Sequence, residues 1–232
     1  MNDVLKSLKK LSVATITMQL LKRGIRQSAM NGVIPLNSPT KKIAGHAFTL
    51  RYIPAREDLS SLENLNNEDY APRLAIEEIP KDSVLVIDGR RNSNIAVLGD
   101  ILIERLKIKG VAGLVTDGAI RDLDDCLNSG FPIYAAGAAA RASVSGHASG
   151  GYQCPIGCGD VAVMPDDIIV GDSDGVVVVP ATMAQQIAID GFEQERFERF
   201  AKTRVKNGAA VIGTYPPNEK TRLEYQEWLD SQ

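Results

Sequence analysis

Apolar and polar positions follow three successive regimes along the chain. Leu5, Leu8, Val13, Ile16, Leu20 and Leu21 recur at spacings near the helical period, which predicts an N-terminal helix ended by Gly24. A turn-rich stretch, NGVIPLNSPTKK, separates it from strand chemistry between Ala47 and Ile53; Arg56 to Tyr70 reads as a polar loop, and Pro72 opens a short helix. In the second regime the period switches regularly. SVLVIDG, VAGLVTDG and FPIYAAG are nearly all apolar strands, alternating with the amphipathic GDILIERLKIKG and the short helical RDLDDCLNSG. Apolar strands alternating with helices predict βαβ units around a parallel sheet. After about Ala142 short strands follow one another, DVAVMP, DIIVGD and GVVVVP, separated by Pro-Asp-Asp and Asp-Ser-Asp-Gly turns. A long helix from about 181 to 207 and a shorter one from about 218 to 229 complete the pattern. No repeat or Ser/Gly-rich linker interrupts it. The expectation is one mixed α/β domain over 1–232, with outer helices and C-terminal helices from about 181.

Composition narrows the function classes. The 232 residues are 44% apolar, enough for a substantial core, with 26 Lys and Arg against 29 Asp and Glu. A formal charge of -3 gives no general attraction to nucleic acid or to anionic membranes, so neither is expected as a partner. The first residues carry lysines throughout and lack the pattern of a signal peptide or membrane span. The three cysteines, Cys126, Cys154 and Cys158, are odd in number and without framework spacing, which fits a reducing cytoplasm.

The stretch GDILIERLKIKGVAGLVTDGAIRD carries the chemistry. Gly99-Asp100 begins a helix, where free backbone N–H groups can hold a carboxylate. Arg121-Asp122 follows the carboxyl end of a buried strand, where open α/β sheets bind ligands. An arginine forks a carboxylate in bidentate fashion, and two aspartates suit a hard divalent cation such as Mg²⁺. Together these parts suit a 2-oxo acid, with a Lewis acid at its carbonyl. The plainer alternative is a surface ion pair between Arg121 and Asp122, with Asp100 merely capping its helix.

The spacing D-x20-R-D from Asp100 to Arg121-Asp122 resembles that of the 4-hydroxy-4-methyl-2-oxoglutarate/4-carboxy-4-hydroxy-2-oxoadipate aldolases. These class II pyruvate aldolases share a fold with RraA, the ribonuclease regulator. The likeness extends over LSVATITMQLLKRG, GHAFTLRYIPARED, VTDGAIRD, PIGCGDVAVMPDDIIVGDSDGVVVVP and GTYPPN, nearly the whole chain. The resemblance implies a swivelling-domain-like α/β sandwich assembled as a homotrimer or homohexamer. It implies retro-aldol cleavage of a 4-hydroxy-2-oxo acid to pyruvate, with oxaloacetate decarboxylation as a side activity. It implies that Arg121 binds the pyruvyl carboxylate with the backbone near Gly99, Ile101 and Leu102. Asp122 would ligate Mg²⁺ or Mn²⁺, with Asp100 acting on the metal directly or through water. An acid from a neighbouring subunit, Glu195 or Glu198, would complete the site. The alternative on the same resemblance is a non-catalytic regulator of a ribonuclease; retention of Asp122 and Asp100 favours the enzyme.

The segment RASVSGHASGG, from Arg141 to Gly151, departs from the family form and leaves the far half of the substrate open. Cys126, Cys154, Cys158 and His147 lack zinc-knuckle spacing and read as inert thiols and a loop histidine, while His46 reads as structural. Arg51, Arg56 and Glu57 read as solvated charges. Lys81, Lys107 and Lys109 lie in turns or on polar helix faces, which disfavours a Schiff base. No G-x-S-x-G elbow and no strand-borne G-x-G-x-x-G occurs; Gly171 and Gly175 fall at a hairpin.

Overall fold

The computed structural model describes residues 3–58 and 60–231. Its helices and strands run, in chain order, α1 (Asp3–Lys10), α2 (Val13–Lys22), β1 (Ile34–Pro35), β2 (Ile43–Pro54), α3 (Ala71–Glu78), β3 (Val84–Asp88), β4 (Ala96–Leu98), α4 (Asp100–Ile108), β5 (Gly113–Thr116), β6 (Ala119–Ile120), α5 (Leu123–Asn128), β7 (Ile133–Ala135), β8 (Gly137–Ala138), β9 (His147–Tyr152), β10 (Ile156–Cys158), β11 (Val161–Val163), β12 (Ile168–Asp172), β13 (Gly175–Val179), α6 (Ala184–Lys206) and α7 (Glu219–Asp230).

The main sheet has the order β1-β7-β5-β3-β2-β12-β13, with β9 also paired to β2. Its centre, β2, β3, β5 and β7, is parallel, as the alternation of apolar strands and helices predicts. Successive residues of β3 serve opposite faces. Leu85 and Ile87 join a cluster with Ile76 of α3, Ile103 and Leu106 of α4 and Cys126 of α5. Val84 and Val86 join another with Ile156, Cys158, Val161 and Val163 of the β10–β11 hairpin. A third cluster packs Leu8, Ile16 and Leu20 against Ile187 of α6 and the strands β12 and β13. The result is a mixed sheet covered on both faces, with helices outside.

One expected element is two. The N-terminal pattern reads as a continuous helix, but the chain breaks at Leu11-Ser12. Ser12 caps α2 by accepting from Thr15 N at 3.0 Å. Two carboxylates complete the cap: Glu195 Oε1 accepts from Ser12 N and Asp172 Oδ2 from Val13 N, each at 2.9 Å. Apolar spacing is indifferent to such a break, because both halves turn the same face inward. The β12–β13 hairpin forms at Asp172-Ser-Asp-Gly175 as its turn chemistry predicts, with Gly175 at φ +127°. Arg141 to Gly151 holds a strand the polar sequence does not announce, β9, paired antiparallel to the far end of β2. Among the described residues no helix is long and apolar enough to cross a membrane.

Candidate active site

A second, smaller sheet escapes sequence reading altogether. The two- and three-residue strands β4, β6 and β8 pair in parallel, with Leu98 opposite Ile120 and Ile120 opposite Ala138. Runs this short carry no periodicity to detect. Their carboxyl ends place three chain segments side by side: Gly99-Asp100, Arg121-Asp122 and Ala139-Ala140. Arg121 N donates to Leu98 O at 3.0 Å, and Ala139 N to Ile120 O at 2.8 Å, which fixes the three ends in register.

Each segment then turns sharply. Gly99 caps α4 without a side-chain hydrogen bond, so no side chain of the cap answers the first-turn N–H groups of Asp100, Ile101 and Leu102. Ile101 is 78% exposed, whereas Leu102 packs against the core. Asp122 adopts the left-handed conformation, φ 54° and ψ 46°, which ends β6 and starts α5 within one residue. Aspartate tolerates that region better than most residues. Cys126 anchors the turn: its backbone N donates to Asp122 O at 3.0 Å and its thiol to Arg121 O at 3.2 Å. Burial, with Asp100, Asp122 and Asp125 nearby, pushes that thiol up to about 11, so it stays a protonated donor.

Arg121, Asp122 and Gly99 touch. Arg121 Nε donates to Asp122 Oδ2 at 3.1 Å, so the surface ion pair of the plainer reading does form. The pair occupies Nε alone, and the terminal amino groups of the guanidinium remain available for a carboxylate. A Cβ on Gly99 would come within 2.6 Å of Asp122 Oδ2 and 3.2 Å of Arg121 Cγ, so glycine makes room for both side chains. The open cavity here, about 430 Å³, is lined by Ile120, Arg121, Asp122, Leu123 and the wall Ala138–Ala140. That wall was not foreseen, since three alanines carry no chemical signal.

Asp100 and Asp122 are the oxygen donors suited to a hard cation at this edge. Among the described residues no group of three or more His, Cys, Asp or Glu side chains forms a closed metal cage. Cys126, Cys154, Cys158 and His147 therefore do not converge on a zinc site; the thiols are free, and Cys126 and Cys158 belong to different apolar clusters. Glu195 and Glu198 are engaged within their own chain, Glu195 on Ser12 and Glu198 with Gln194 and the Tyr215 hydroxyl. His46 lies inside β2, with Nδ1 3.1 Å from Asp166 O, a structural contact. His147 is not a loop histidine: it opens β9 and is fully buried against the Tyr52 ring, with centroids 5.1 Å apart. Lys107 pairs with Glu104, and Lys109 binds the Glu77 carbonyl, so neither is a desolvated amine.

The chain matches the RraA-like family, Aldolase/RraA, over residues 13–178. Protein DlpA of Legionella pneumophila is 28% identical over 232 residues, 99% of this chain but 35% of DlpA, so the chain spans about a third of that relative. A Halalkalibacterium halodurans protein, named as a candidate 4-hydroxy-4-methyl-2-oxoglutarate aldolase, is 29% identical over 187 residues, covering 81% of this chain and 86% of that protein. Among solved structures, Streptomyces coelicolor RraAS2, described as an unusual member of the RNase ES inhibitor RraA family, aligns with TM-score 0.79 and 34% identity over 87% of this chain and 96% of its own. The edge that carries Arg121 and Asp122 falls inside the matched residues, and the chain belongs to the RraA-like, Aldolase/RraA, family.

Proposed function

We propose that the chain is a divalent-metal-dependent lyase that cleaves a 4-hydroxy-2-oxo acid to pyruvate by retro-aldol reaction, with oxaloacetate decarboxylation as a side activity. The observation that carries this reading is the meeting of Gly99-Asp100 and Arg121-Asp122 at the carboxyl ends of adjacent parallel strands. Arg121 offers its terminal amino groups to the substrate carboxylate, and the amides of Asp100, Ile101 and Leu102 offer the positive end of α4. Asp122 and Asp100 would hold Mg²⁺ or Mn²⁺, a donor set that leaves room for the waters such ions keep. When bound, the cation supplies a Lewis acid that stabilises negative charge developing on a substrate oxygen. Cys126 holds the Arg121–Asp122 turn still while that charge develops. The cavity is open to its surroundings, and a neighbouring copy in a homotrimer or homohexamer would complete it. Because Glu195 and Glu198 are engaged at home, either must exchange partners to serve a neighbour.

The test is a coupled pyruvate-release screen over 4-hydroxy-2-oxo acids and oxaloacetate. Turnover is expected with Mg²⁺ or Mn²⁺, abolished by EDTA and restored by the metal. Undiminished turnover in chelator, with a borohydride-trapped adduct, would sink the reading. The second reading, a regulator of a ribonuclease, is supported by the description of RraAS2 as a member of an RNase inhibitor family. It predicts inhibition of RNA cleavage by the chain, undisturbed by Asp122→Ala.

A further inference from the structure

The turn at residues 143–147 gathers two guanidinium groups. Arg141 Nη2 donates to Ser145 O at 3.1 Å, and Arg90 Nη1 donates to the next carbonyl, Gly146 O, at 3.0 Å. Two guanidinium groups are thus anchored on successive carbonyls of one short turn. Among the described residues neither guanidinium has a carboxylate within 4.0 Å, while Asp88 Oδ1 accepts from the Arg90 backbone N at 2.9 Å. The contrast with the next residue is direct, since Arg91 grips both oxygens of Asp160. Like charges held together without a counterion repel, which an incoming anion would relieve.

His147 packs against the Arg90 guanidinium and so reports on it. It is fully buried, and its Nε2 has no hydrogen-bond partner. Nδ1 lies 3.4 Å from Arg90 Nη1, and a guanidinium can only donate, so Nδ1 accepts and Nε2 carries the proton. Nε2, on the ring edge away from Arg90, is therefore a buried donor without an acceptor among the described residues. The backbone beside it is also strained: Arg90 and Arg91 are both left-handed, at φ 60° and 53°. Successive non-glycine residues in that region persist where the surroundings demand them.

We propose that Arg90 and Arg141, held on the successive carbonyls of Ser145 and Gly146, form a binding site for a small oxyanion, a carboxylate or a phosphate, separate from the site built on Arg121. Planar forks suit the oxygens of such anions, and two neighbouring guanidiniums repel a cation. Arg141 directly follows Ala140, the last residue of the cavity wall beside Arg121. The oxyanion therefore has two sources, a free small anion or an acidic group at the far end of the molecule held by Arg121.

The experiment titrates the full chain with inorganic phosphate and, separately, with malonate, following the histidine ring resonances by NMR. The chain has 2 histidines, so His46 is an internal control and His147→Gln assigns the reporter. Arg90, Arg141 and the Tyr52 ring face His147, whose imidazole is pushed down to about 4 by burial and by both arginines. A saturable shift at His147 and not at His46 is expected, with the imidazole titrating at higher pH once the anion offsets the guanidiniums. Arg90→Gln and Arg141→Gln should each weaken binding about tenfold or more, and the lysine variants less, while Arg105→Gln, which removes a surface pair with Glu77, changes nothing. No saturable shift at His147, or undiminished affinity in both glutamine variants with folding confirmed by circular dichroism, overturns the proposal. Competitive inhibition of pyruvate release at saturating Mg²⁺ that Arg90→Gln and Arg141→Gln relieve identifies the far end of the substrate as the source. Non-competitive or absent inhibition identifies a free anion, and the site stands in either case. The titration requires no turnover, so failure of the aldolase reading leaves it intact.

Discussion

Two arginine clusters are tied to the small β4-β6-β8 sheet, and they differ in what surrounds the charge. At the carboxyl ends Arg121 stands with Asp122 and Asp100 beside an uncapped helix start. At the 143–147 turn the Arg90 and Arg141 guanidiniums meet carbonyls and a buried, neutral imidazole. The first mixture suits a cation and a carboxylate together; the second suits an anion alone. The residue type is the same in both, so the neighbours decide the chemistry.

Asp122→Ala breaks the first cluster most severely. Losing a metal donor and the partner of Arg121 Nε should lower kcat about a thousandfold, roughly 4 kcal/mol, with partial rescue at high metal. Steady-state kinetics at several Mg²⁺ concentrations measure it, and near-normal kcat at ordinary metal would remove Asp122 from the site. Arg121→Lys comes next. It keeps the charge and loses the fork, so kcat/KM should fall roughly thirty- to a thousandfold, about 2–4 kcal/mol, with KM carrying a large share. An unchanged KM would show that no carboxylate is held there.

The second cluster is expected to show itself in stability. The His147 imidazole has an ordinary value of 6.5 and is pushed down to about 4 in the folded chain. Between these values the unfolded chain binds more protons, so the contribution is fully present above pH 6.5 and is lost as pH falls towards 4. The loss should reach at most about 3 kcal/mol. Denaturant unfolding at a series of pH values tests it, and His147→Gln should flatten the profile across that window. An equal slope in the variant would assign the acid sensitivity to other groups.

Gly99→Ala gives the smallest effect and separates fold from site. The added Cβ meets the Asp122 carboxylate and the stem of Arg121, both flexible side-chain atoms that can shift. Thermal stability should change little, while kcat/KM falls about tenfold as the pair is displaced. A large fall in Tm with kinetics intact would show that Gly99 serves the backbone and not the site.

Local patterning determined much of this protein. Apolar strands alternating with amphipathic helices specify a parallel centre, because strands covered on both faces cannot alternate with polar residues. Asp-Ser-Asp-Gly specifies its hairpin, while Asp100, Arg121 and Asp122 are singled out through the family resemblance that the D-x20-R-D spacing carries and not by patterning alone. Tertiary structure decided the rest, wherever the cause is non-local. The break at Ser12 depends on Glu195 and Asp172, respectively 183 and 159 residues from the amides they cap. The strands that align the site are two or three residues long and exist only because they pair with one another. His147 looks like a loop residue among small neighbours, yet pairing of β9 with β2 buries it against Tyr52. Sequence records which groups are available, but burial and hydrogen-bond partners follow from which distant segments meet, and those set each group's charge state and role.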